Sequence, residues 1–312
     1  MKKNKKILIS SFHMSQKIKL FSHLLKKKNI SYDKIVRNPV VKEKELIKII
    51  SKYDGLICSD DEVTKNVINK AKKLKVISKW GTGIDSIDKN HALKKNIKIF
   101  NSPDAFSKSV SQFAWGMIIN LTRNIIKTQN EIKKGNWPKF SGTLLENKFL
   151  GIIGIGSVGK QVIKTGKGFG MKILGNDVKP IKKSIIKKLR IKKVSKDLLL
   201  KKSDIIVLCV DLNKTSYNLI DYKEFKLMKK NSIIINVSRG PVIHEKSLIN
   251  ALKKKQIKAA GIDVLEKEPP NNKNPLLNLE NCLISSHNAF NTEEEVNRVH
   301  KNTILNLIKG LN

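Results

Sequence analysis

The chain has 312 residues, enough for two domains with separate cores, and its 40% hydrophobic content with only 8 Pro and 17 Gly excludes a largely disordered protein. Its formal net charge is +37, yet only five of its 63 basic residues are Arg (Arg37, Arg123, Arg190, Arg239 and Arg298), and the lysines are spread along the whole chain. Because readers of base sequence rely on the planar guanidinium, we expect no nucleic-acid partner, and steep salt-dependent affinity for any duplex would contradict that expectation.

Short apolar runs alternate with stretches of helical length and mixed polarity through the first third of the chain. This alternation is typical of an α/β fold with parallel strands. The predicted strands are Lys5–Ser10, Tyr32–Val36, Asp54–Cys58, Lys75–Lys79 and Ile97–Phe100.

A single long helix is predicted over Asp104–Lys133. It follows Ser102-Pro103, and Asp104 stands where a carboxylate favours the start of a helix. The middle of the helix, Phe113–Ile119, is apolar on nearly every side. We therefore expect this helix to lie in a core or in a subunit interface.

A second series of strands and helices begins near Asn147. The predicted strands are Lys148–Ile153, Met171–Asn176, Asp204–Val210, Ser232–Asn236, Lys258–Ile262 and Cys282–Ser285. A helix over Ser157–Phe169 follows the first of them. Between the second and third strands, the Lys-rich stretch Lys179–Lys193 is predicted to be a low-complexity linker.

The C-terminal segment Thr292–Lys309 is predicted to be a helix. Thr292 is a suitable N-cap, and three glutamates follow it in the first turn (Glu293, Glu294 and Glu295). Carboxylates at this end of a helix interact favourably with its dipole.

The chain has an odd number of cysteines: Cys58, Cys209 and Cys282. No two of them are spaced in the sequence as metal ligands are. We expect reduced thiols, no disulfide and no metal site. The N-terminal segment MKKNKKILIS contains an apolar run too short for a signal peptide, and no run approaches transmembrane length. These features predict a cytoplasmic protein without a membrane partner.

A glycine-rich loop follows the apolar strand Phe149–Ile153 and opens the next helix. Gly154 permits a tight turn, Gly156 lets the backbone approach a pyrophosphate, and Gly159 lets helix and strand pack closely. The N–H groups at the start of the helix then point at the phosphates. A Gly-rich turn without a ligand is the alternative, but this position between strand and helix favours dinucleotide binding.

Asp177 follows the next strand, where an acidic residue binds the hydroxyls of the adenosine ribose. A carboxylate there disfavours a 2′-phosphate, so the predicted cofactor is NAD. Lys179, Lys182 and Lys183 lie close by in the sequence and could weaken the preference against NADP.

Three further loops follow predicted strands and carry Arg239, Glu268 and His287. Ligands of open α/β sheets bind at these carboxyl ends of strands. Each residue also has a simpler interpretation: a surface cation, an ordinary turn residue and a structural histidine. Their order and spacing favour a shared site.

From about Asp54 to its C-terminus the chain resembles the D-isomer-specific 2-hydroxyacid dehydrogenases, the family that includes D-3-phosphoglycerate dehydrogenase. The motifs that carry the resemblance, besides the glycine loop, are Lys79–Asp88 (KWGTGIDSID), Asn101–Pro103, Ile235–Ile243 (INVSRGPVI) and Gly261–Val264 followed by Glu268-Pro269. The family's fold implies two Rossmann-like, doubly wound parallel-sheet domains with an active-site cleft between them.

The resemblance also implies roles for the three loop residues. His287 would be the general acid/base at the C2 hydroxyl, and Glu268 would hold its imidazole and favour the protonated form. Arg239 would bind the substrate carboxylate and polarise the C2 carbonyl.

Further substrate and cofactor residues follow from the same resemblance. The backbone N–H groups of Gly81, Thr82 and Gly83 would bind the carboxylate, with Lys79 as a possible phosphate contact and Trp80 as an apolar wall. Asp263 would contact the nicotinamide carboxamide. The other residues assigned to the cofactor are Ser157, Val158, Cys209, Val210, Thr215, Val237, Ser238 and Thr82.

The chain departs from the family's pattern around the substrate. Asn288-Ala289 follows His287 where many members have a glycine pair, Gln112 replaces a common Glu, and Cys209 and Asp211 stand where relatives have histidine and proline. The substrate therefore stays open among phosphoglycerate, glyoxylate, hydroxypyruvate, D-lactate, a phosphorylated sugar acid and phosphite. A dinucleotide-sensing corepressor is the alternative from another class.

The expected domains are a discontinuous substrate domain, residues 1–101 plus 288–312, and an NAD-binding domain, residues 102–287. Because the chain stops after its last helix, no regulatory domain is expected. The resemblance also implies a homodimer, with the helix predicted over Asp104–Lys133 at its interface.

Overall fold

The computed structural model describes residues 4–36 and 40–312. Its strands, in chain order, are β1 (Lys5–Ile9), β2 (Ile30–Lys34), β3 (Gly55–Cys58), β4 (Val76–Lys79), β5 (Lys98–Phe100), β6 (Phe149–Ile153), β7 (Lys172–Asn176), β8 (Lys192–Lys193), β9 (Ile205–Leu208), β10 (Ile233–Asn236), β11 (Ala259–Ile262) and β12 (Cys282–Ile284). Its helices are α1 (Phe12–Lys26), α2 (Glu43–Ile49), α3 (Lys65–Lys70), α4 (Lys89–Lys94), α5 (Ser107–Arg123), α6 (Ile125–Lys133), α7 (Ser157–Gly168), α8 (Lys183–Leu189), α9 (Lys196–Lys202), α10 (Tyr222–Leu227), α11 (Glu245–Lys253) and α12 (Glu293–Leu311).

The chain divides into two compact units. The first consists of Met1–Ala105 and Thr292–Asn312, and the second of Phe106–Asn291. The sequence predicts these boundaries at 101/102 and 287/288.

The first unit is built on a five-stranded parallel sheet in the order β2-β1-β3-β4-β5. Helix α12 returns from the end of the chain to cover it, and the Ser78 hydroxyl of β4 donates to the Thr303 carbonyl oxygen of α12 at 2.7 Å. Strand β2 begins at Ile30, earlier than predicted, because the buried Ile30 pairs with Lys5 at the start of β1.

The second unit is built on a seven-stranded parallel sheet in the order β12-β11-β10-β9-β6-β7-β8. The order reverses at β6, the first strand of this unit, which pairs with β7 on one side and β9 on the other. Ligands of doubly wound sheets bind outside the carboxyl ends of the strands at such a reversal. The glycine loop after β6 therefore lies at the position where a dinucleotide is expected.

The single helix predicted over Asp104–Lys133 is wrong at two points. Asp104 and Phe106 have φ angles of 61° and 64°, so the helix begins only at Ser107. Asn124, with φ 56° and ψ 35°, then separates α5 from α6, and its side-chain amide donates to the Ser141 carbonyl oxygen at 3.1 Å. Asparagine tolerates this left-handed conformation better than most residues.

The apolar middle of α5 is buried within the second unit. Ala114, Trp115, Met117 and Ile118 are each no more than 5% exposed, and the Trp115 indole N–H donates to the Val162 carbonyl oxygen of α7 at 3.2 Å. Of the two locations predicted for this segment, the core is the one that the structure shows.

The Lys-rich stretch Lys179–Lys193 is not a linker, and that prediction is wrong. It contains α8 and the edge strand β8, which pairs with β7 through Leu174 and Gly175. Leu189 and Ile191, each 5% exposed, provide the apolar contacts that order the segment despite its lysines.

The predicted C-terminal helix is present as α12. Thr292 precedes it in extended conformation without a side-chain capping bond, and the three glutamates occupy its first turn. Glu295 pairs with Arg298 one turn later.

A buried aromatic cluster joins α12 to the end of β4 in the first unit. The Trp80 indole N–H donates to His300 Nδ1 at 2.7 Å, and the His13 ring stacks on Trp80 with centroids 4.4 Å apart. Burial, followed by the charges of His13 and Lys17, lowers the pKa of His300 to about 4. His300 is therefore neutral and accepts the indole proton over most of the pH range.

The low pKa of His300 predicts a loss of stability in mild acid. An unfolded histidine binds its proton near pH 6.5, whereas the folded His300 does so only near 4. As the pH falls through this window the unfolded state binds more protons, so the free energy of unfolding should fall by on the order of 3 kcal/mol from this group.

The measurement is urea unfolding between pH 7 and 4 for the wild type and His300→Gln, whose amide oxygen can still accept from Trp80. The carboxylates titrate alike in both proteins. The difference between their free energies of unfolding at each pH therefore reports the titration of His300 alone. Parallel pH dependence in the two proteins would contradict the prediction.

Candidate active site

The glycine loop after β6 has the geometry of a phosphate cradle. Gly154 has φ +93°, and a Cβ there would overlap the Cys209 carbonyl oxygen. A Cβ on Gly159 would overlap the Gly154 carbonyl oxygen, whereas one on Gly156 would meet no atom within 4 Å. Gly154 and Gly159 are thus required by the fold, and Gly156 leaves open the space that a pyrophosphate would take.

Helix α7 begins directly at this loop. Its N-cap is Gly156, which provides no side chain to cap the first N–H groups, and no acidic residue lies in the first turn. Ser157 and Val158, both half-buried, form that turn. The positive end of the helix dipole is therefore available to an anionic ligand.

Asp177 follows β7 and is tied to the glycine loop. The Ile155 N–H donates to its Oδ2 at 2.7 Å, and the Lys179 N–H donates to its Oδ1 at 2.8 Å. The half-buried carboxylate is thereby fixed beside the loop, in the position that suits a ribose diol.

Replacing Asp177 with alanine is expected to relax discrimination against NADPH. The carboxylate would repel a 2′-phosphate, and without it Lys179, Lys182 and Lys183 would attract one. The ratio of kcat/KM with NADPH to that with NADH should rise at least about tenfold, since one lost charge repulsion of about 1.4 kcal/mol suffices. Asp197→Ala, at an exposed aspartate of α9, is the control, and an unchanged ratio in Asp177→Ala would remove the assigned role.

The segment expected on the adenine side follows β9. Cys209 and Val210 are half-buried, and the Cys209 carbonyl oxygen lies against Gly154. Burial raises the pKa of the Cys209 thiol to about 12, so it is a neutral, apolar lining group. Thr215 is exposed, and its hydroxyl donates to Asn213 Oδ1 at 2.7 Å.

Arg239 lies on the loop after β10 and is half-buried. Asn236, which is 1% exposed, holds this loop: its amide donates to the Arg239 carbonyl oxygen at 3.0 Å and its Oδ1 accepts from the Ser238 hydroxyl at 2.7 Å. Arg239 itself donates from Nη1 to the Ser238 carbonyl oxygen at 2.9 Å. Val237 is half-buried in the same turn.

The loops of Arg239 and Glu268 pack directly on each other. A Cβ on Gly240 would overlap the Leu265 carbonyl group, so only glycine permits this approach. The Leu265 N–H donates to Glu268 Oε1 at 2.9 Å, which fixes the carboxylate. The structure therefore brings the first of the three predicted loops against the second.

Glu268 and His287 form a pair. Glu268 Oε2 lies 2.8 Å from His287 Nδ1, and the two side chains are 37% and 29% exposed. Since Glu268 holds the imidazole through Nδ1, proton exchange with a ligand would pass through Nε2. This is the arrangement of a general acid/base and the residue that orients it.

Asp263 organises the loop that carries His287. Its carboxylate is 2% exposed and accepts from the Ser285 hydroxyl at 2.7 Å and from the Asn288 and Ala289 N–H groups at 2.9 and 3.2 Å. Its carbonyl oxygen accepts from the His287 N–H at 2.7 Å. His287 has φ 54°, a left-handed conformation that these bonds stabilise.

Asp263→Asn is expected to lower kcat about 10²-fold by loosening this loop. The amide presents one acceptor oxygen where the carboxylate presents two, so at least one loop N–H loses its partner. Hydrogen exchange of residues 285–290 should speed up while exchange in β10 stays unchanged. Normal kcat together with normal exchange would show that Asp263 does not position His287.

The Gly81–Gly83 turn lies in the first unit, after β4. Gly81 is buried with φ +117°. The Thr82 hydroxyl donates to the Ser102 carbonyl oxygen at 3.3 Å, and the Asn101 amide donates to the Thr82 carbonyl oxygen at 2.6 Å. These bonds fix the turn from the segment Asn101–Pro103.

Lys79 is buried, whereas a side chain that binds a phosphate is expected to be an exposed cation. It is 2% exposed, and its ammonium donates to Asp60 Oδ1 at 2.7 Å. A contact with substrate would require it to leave Asp60. Trp80 is 5% exposed and already packed on His13.

Sequence reasoning missed Asn236 and Ser285 and assigned Asp263 a different contact. Asn236 ends the buried strand β10 and Ser285 follows the half-buried strand β12, at the same sheet edge as the predicted trio. A polar residue at such a position was the available signal. In the described ranges, no group of three His, Cys, Asp or Glu side chains is placed to hold a metal ion, and no helix is long and apolar enough to cross a membrane.

Comparison with known proteins identifies the second unit. Residues 115–289 match the family model described as "D-isomer specific 2-hydroxyacid dehydrogenase, NAD binding domain". The chain is 41% identical over 256 residues to the D-3-phosphoglycerate dehydrogenase of Methanocaldococcus jannaschii. The aligned region covers 81% of this chain and 48% of that protein. It is 36% identical over 272 residues to the hydroxypyruvate reductase of Thermotoga maritima, covering 86% of this chain and 88% of that protein.

A solved structure agrees with this assignment. The D-lactate dehydrogenase of Aquifex aeolicus, complexed with NAD and lactic acid, has a TM-score of 0.87 and 26% identity, over 97% of this chain and 94% of that one. The chain spans about half the length of the phosphoglycerate dehydrogenases it matches, with 48% and 52% of them covered.

These similarities confirm the predicted parallel-sheet α/β fold and the predicted cofactor NAD. They extend over 86% and 97% of the chain rather than over the glycine loop alone. The chain belongs to the D-isomer specific 2-hydroxyacid dehydrogenase family, and residues 115–289 are its NAD-binding domain.

Proposed function

We propose that the protein catalyses hydride transfer between NAD(H) and C2 of a D-2-hydroxyacid or the corresponding 2-oxo acid. The observation that carries the proposal is the Glu268–His287 pair, with 2.8 Å between Oε2 and Nδ1, and with the loop of Glu268 packed against that of Arg239. Bound NADH supplies the hydride.

Three side chains, His287, Glu268 and Arg239, are proposed to transfer the proton and to bind the substrate. His287 gives a proton from Nε2 to the C2 oxygen during reduction and removes it during oxidation. Glu268 stabilises the imidazolium that reduction requires, because its carboxylate is fixed by the Leu265 N–H. Arg239 binds the substrate carboxylate and polarises the C2 carbonyl.

The remaining site residues keep their proposed roles. The N–H groups of Gly81, Thr82 and Gly83 are proposed to bind the carboxylate, because successive N–H groups in a tight turn form an anion site. The glycine loop, Asp177, Cys209, Val210, Thr215, Val237 and Ser238 are proposed to bind the cofactor. Asp263 is proposed to act chiefly through the loop of His287.

The substrate is proposed to be a short 2-oxo acid. The test is NADH oxidation with phosphohydroxypyruvate, hydroxypyruvate, glyoxylate, pyruvate and a branched 2-oxo acid, at matched ionic strength because the charge of +37 attracts every anion. Turnover of one or more supports the proposal and names the preference. Tight NADH binding with no turnover of any would favour the sensing role of a corepressor instead.

We further propose a homodimer. Helix α6 has no buried residue, and Ile125, Ile126 and Ile132 are 51%, 39% and 44% exposed. Trp137 and Leu144, in the following segment, are 79% and 72% exposed. Such a patch is typical of an interface, and light scattering should give twice the chain mass of 35.3 kDa.

The proposed location is the cytoplasm. Cys58, Cys209 and Cys282 are all free, and burial raises the pKa of each thiol to about 12. Unpaired, unreactive thiols suit a reducing compartment. Fractionation of the source cells is the test.

A further inference from the structure

A basic cleft lies at the amino ends of β6 and β7 in the second unit. Its volume is about 490 Å³. Four cationic side chains line it, Lys167, Lys172, Arg190 and Lys192, together with the apolar Phe149 and Met171. No acidic residue is among its lining residues.

The cleft exists because the edge strand is short. Strand β8 has only two residues and pairs with Leu174 and Gly175. In the part of the chain that the structure describes, Lys172 and Ile173 therefore have no strand beside them on that side. The opening sits between the ends of α7 and α8.

The charges of the cleft favour an anion. Helices α7 and α8 end here, and each contributes roughly half a negative charge, against four positive side chains. Lys167 offsets one helix end, because its ammonium donates to the Lys188 carbonyl oxygen at 3.5 Å. About three positive charges are left over.

The cleft cations are not neutralised by neighbours. Within residues 4–36 and 40–312, Lys172, Arg190 and Lys192 form no ion pair. Glu146 approaches Gly170 at the rim and pairs with none of them, so its carboxylate lowers the surplus to about two positive charges. Asp204, which accepts the Phe149 N–H, is already paired with Lys229 at 2.8 Å.

The cleft is separate from the cofactor loop. It opens at Phe149, the first residue of β6, whereas the glycine loop follows Ile153, the last residue of that strand. A strand of this length separates the two by about 13 Å. A ligand in the cleft would not displace NADH.

We propose that the basic cleft binds a compact anion with clustered phosphates, either an inorganic polyphosphate or the phosphate chain of a nucleotide. Arg190 offers a planar fork of donors, and Lys172 and Lys192 offer point charges, which together suit adjacent phosphates. The half-buried Phe149 ring, with the Lys172 ammonium 5.8 Å from its centroid, gives the cleft an apolar wall.

The test is calorimetric titration of the full chain, with and without saturating NADH, with inorganic triphosphate and separately with ATP, at about 150 mM salt to suppress long-range attraction. The variant is Lys172→Gln/Arg190→Gln/Lys192→Gln. The matched control, Lys72→Gln/Lys94→Gln/Lys95→Gln, removes the same charge from exposed lysines of the first unit. Lys172→Glu is a milder second variant in case the triple variant unfolds.

The cleft variant should weaken binding at least about tenfold and the control less than about twofold. Comparable affinity for triphosphate and ATP would assign the site to the phosphates alone, and tighter ATP binding would assign it to a nucleotide. The proposal would be overturned if neither anion binds, or if the cleft variant and the control lose the same affinity. Loss of binding when NADH saturates the protein would overturn it as well.

Discussion

Replacing His287 with alanine is expected to lower kcat by at least about 10³-fold while the Kd of NADH stays within about twofold. The imidazole is proposed to exchange a proton with the C2 oxygen, and positioned acid/base groups contribute about 10² to 10⁴ in rate. The glycine loop and Asp177, which are proposed to bind the cofactor, follow β6 and β7, whereas His287 follows β12. The measurement pairs steady-state kinetics with NADH fluorescence titration.

His23→Ala is the matched control, because His23 is an exposed histidine of α1. It should change neither quantity. Lost NADH affinity in His287→Ala would instead place His287 against the cofactor, and near-normal kcat would remove it from the chemistry.

Replacing Arg239 with lysine is expected to lower kcat/KM about 10²-fold although the charge is kept. Lysine lacks the planar fork that grips a carboxylate and one carbonyl together. It also cannot keep the bond from Nη1 to the Ser238 carbonyl oxygen, 2.9 Å long, in the same geometry. Both KM and kcat should worsen, since binding and polarisation are both weakened.

Arg298→Lys is the control, because Arg298 forms an exposed pair with Glu295 on α12. Surface pairs of this kind contribute little. If Arg239→Lys behaves like this control, Arg239 acts as a simple positive charge and the bidentate role is wrong.

The glycine loop and the strand series could be predicted because their signals are local. A buried strand, three glycines and a helix start are read from one stretch, Phe149–Gly159, and the structure keeps that order. The break at Asn124 could not be predicted in this way. Its left-handed conformation depends on the contact with Ser141, which lies beyond the end of α6.

The lysine-rich segment Lys179–Lys193 shows that amino-acid composition alone does not predict whether a segment is ordered. Lysines predicted a linker, but two apolar residues, Leu189 and Ile191, are enough to order α8 and β8 against the sheet. Burial of a few side chains outweighs a solvated lysine majority, because the lysines cost little when they stay in water.

The supporting residues of the site were harder to find than the trio. Asp263 accepts from Ser285 and from two N–H groups that lie more than twenty positions further along the chain. Only the parallel pairing of β11 with β12 brings them together. Local sequence cannot show which of several polar residues after a strand will hold its neighbour's loop.

The central claim is direct hydride transfer to C2, and isotopic labelling tests it most directly. NADH carrying deuterium at both C4 positions of the nicotinamide would be oxidised with the fastest 2-oxo acid that gives a chiral product, and that product examined by mass spectrometry and chiral chromatography. Deuterium at C2 of a D-2-hydroxyacid is the predicted result. Deuterium lost to water, an L product, or no turnover despite bound NADH would contradict it.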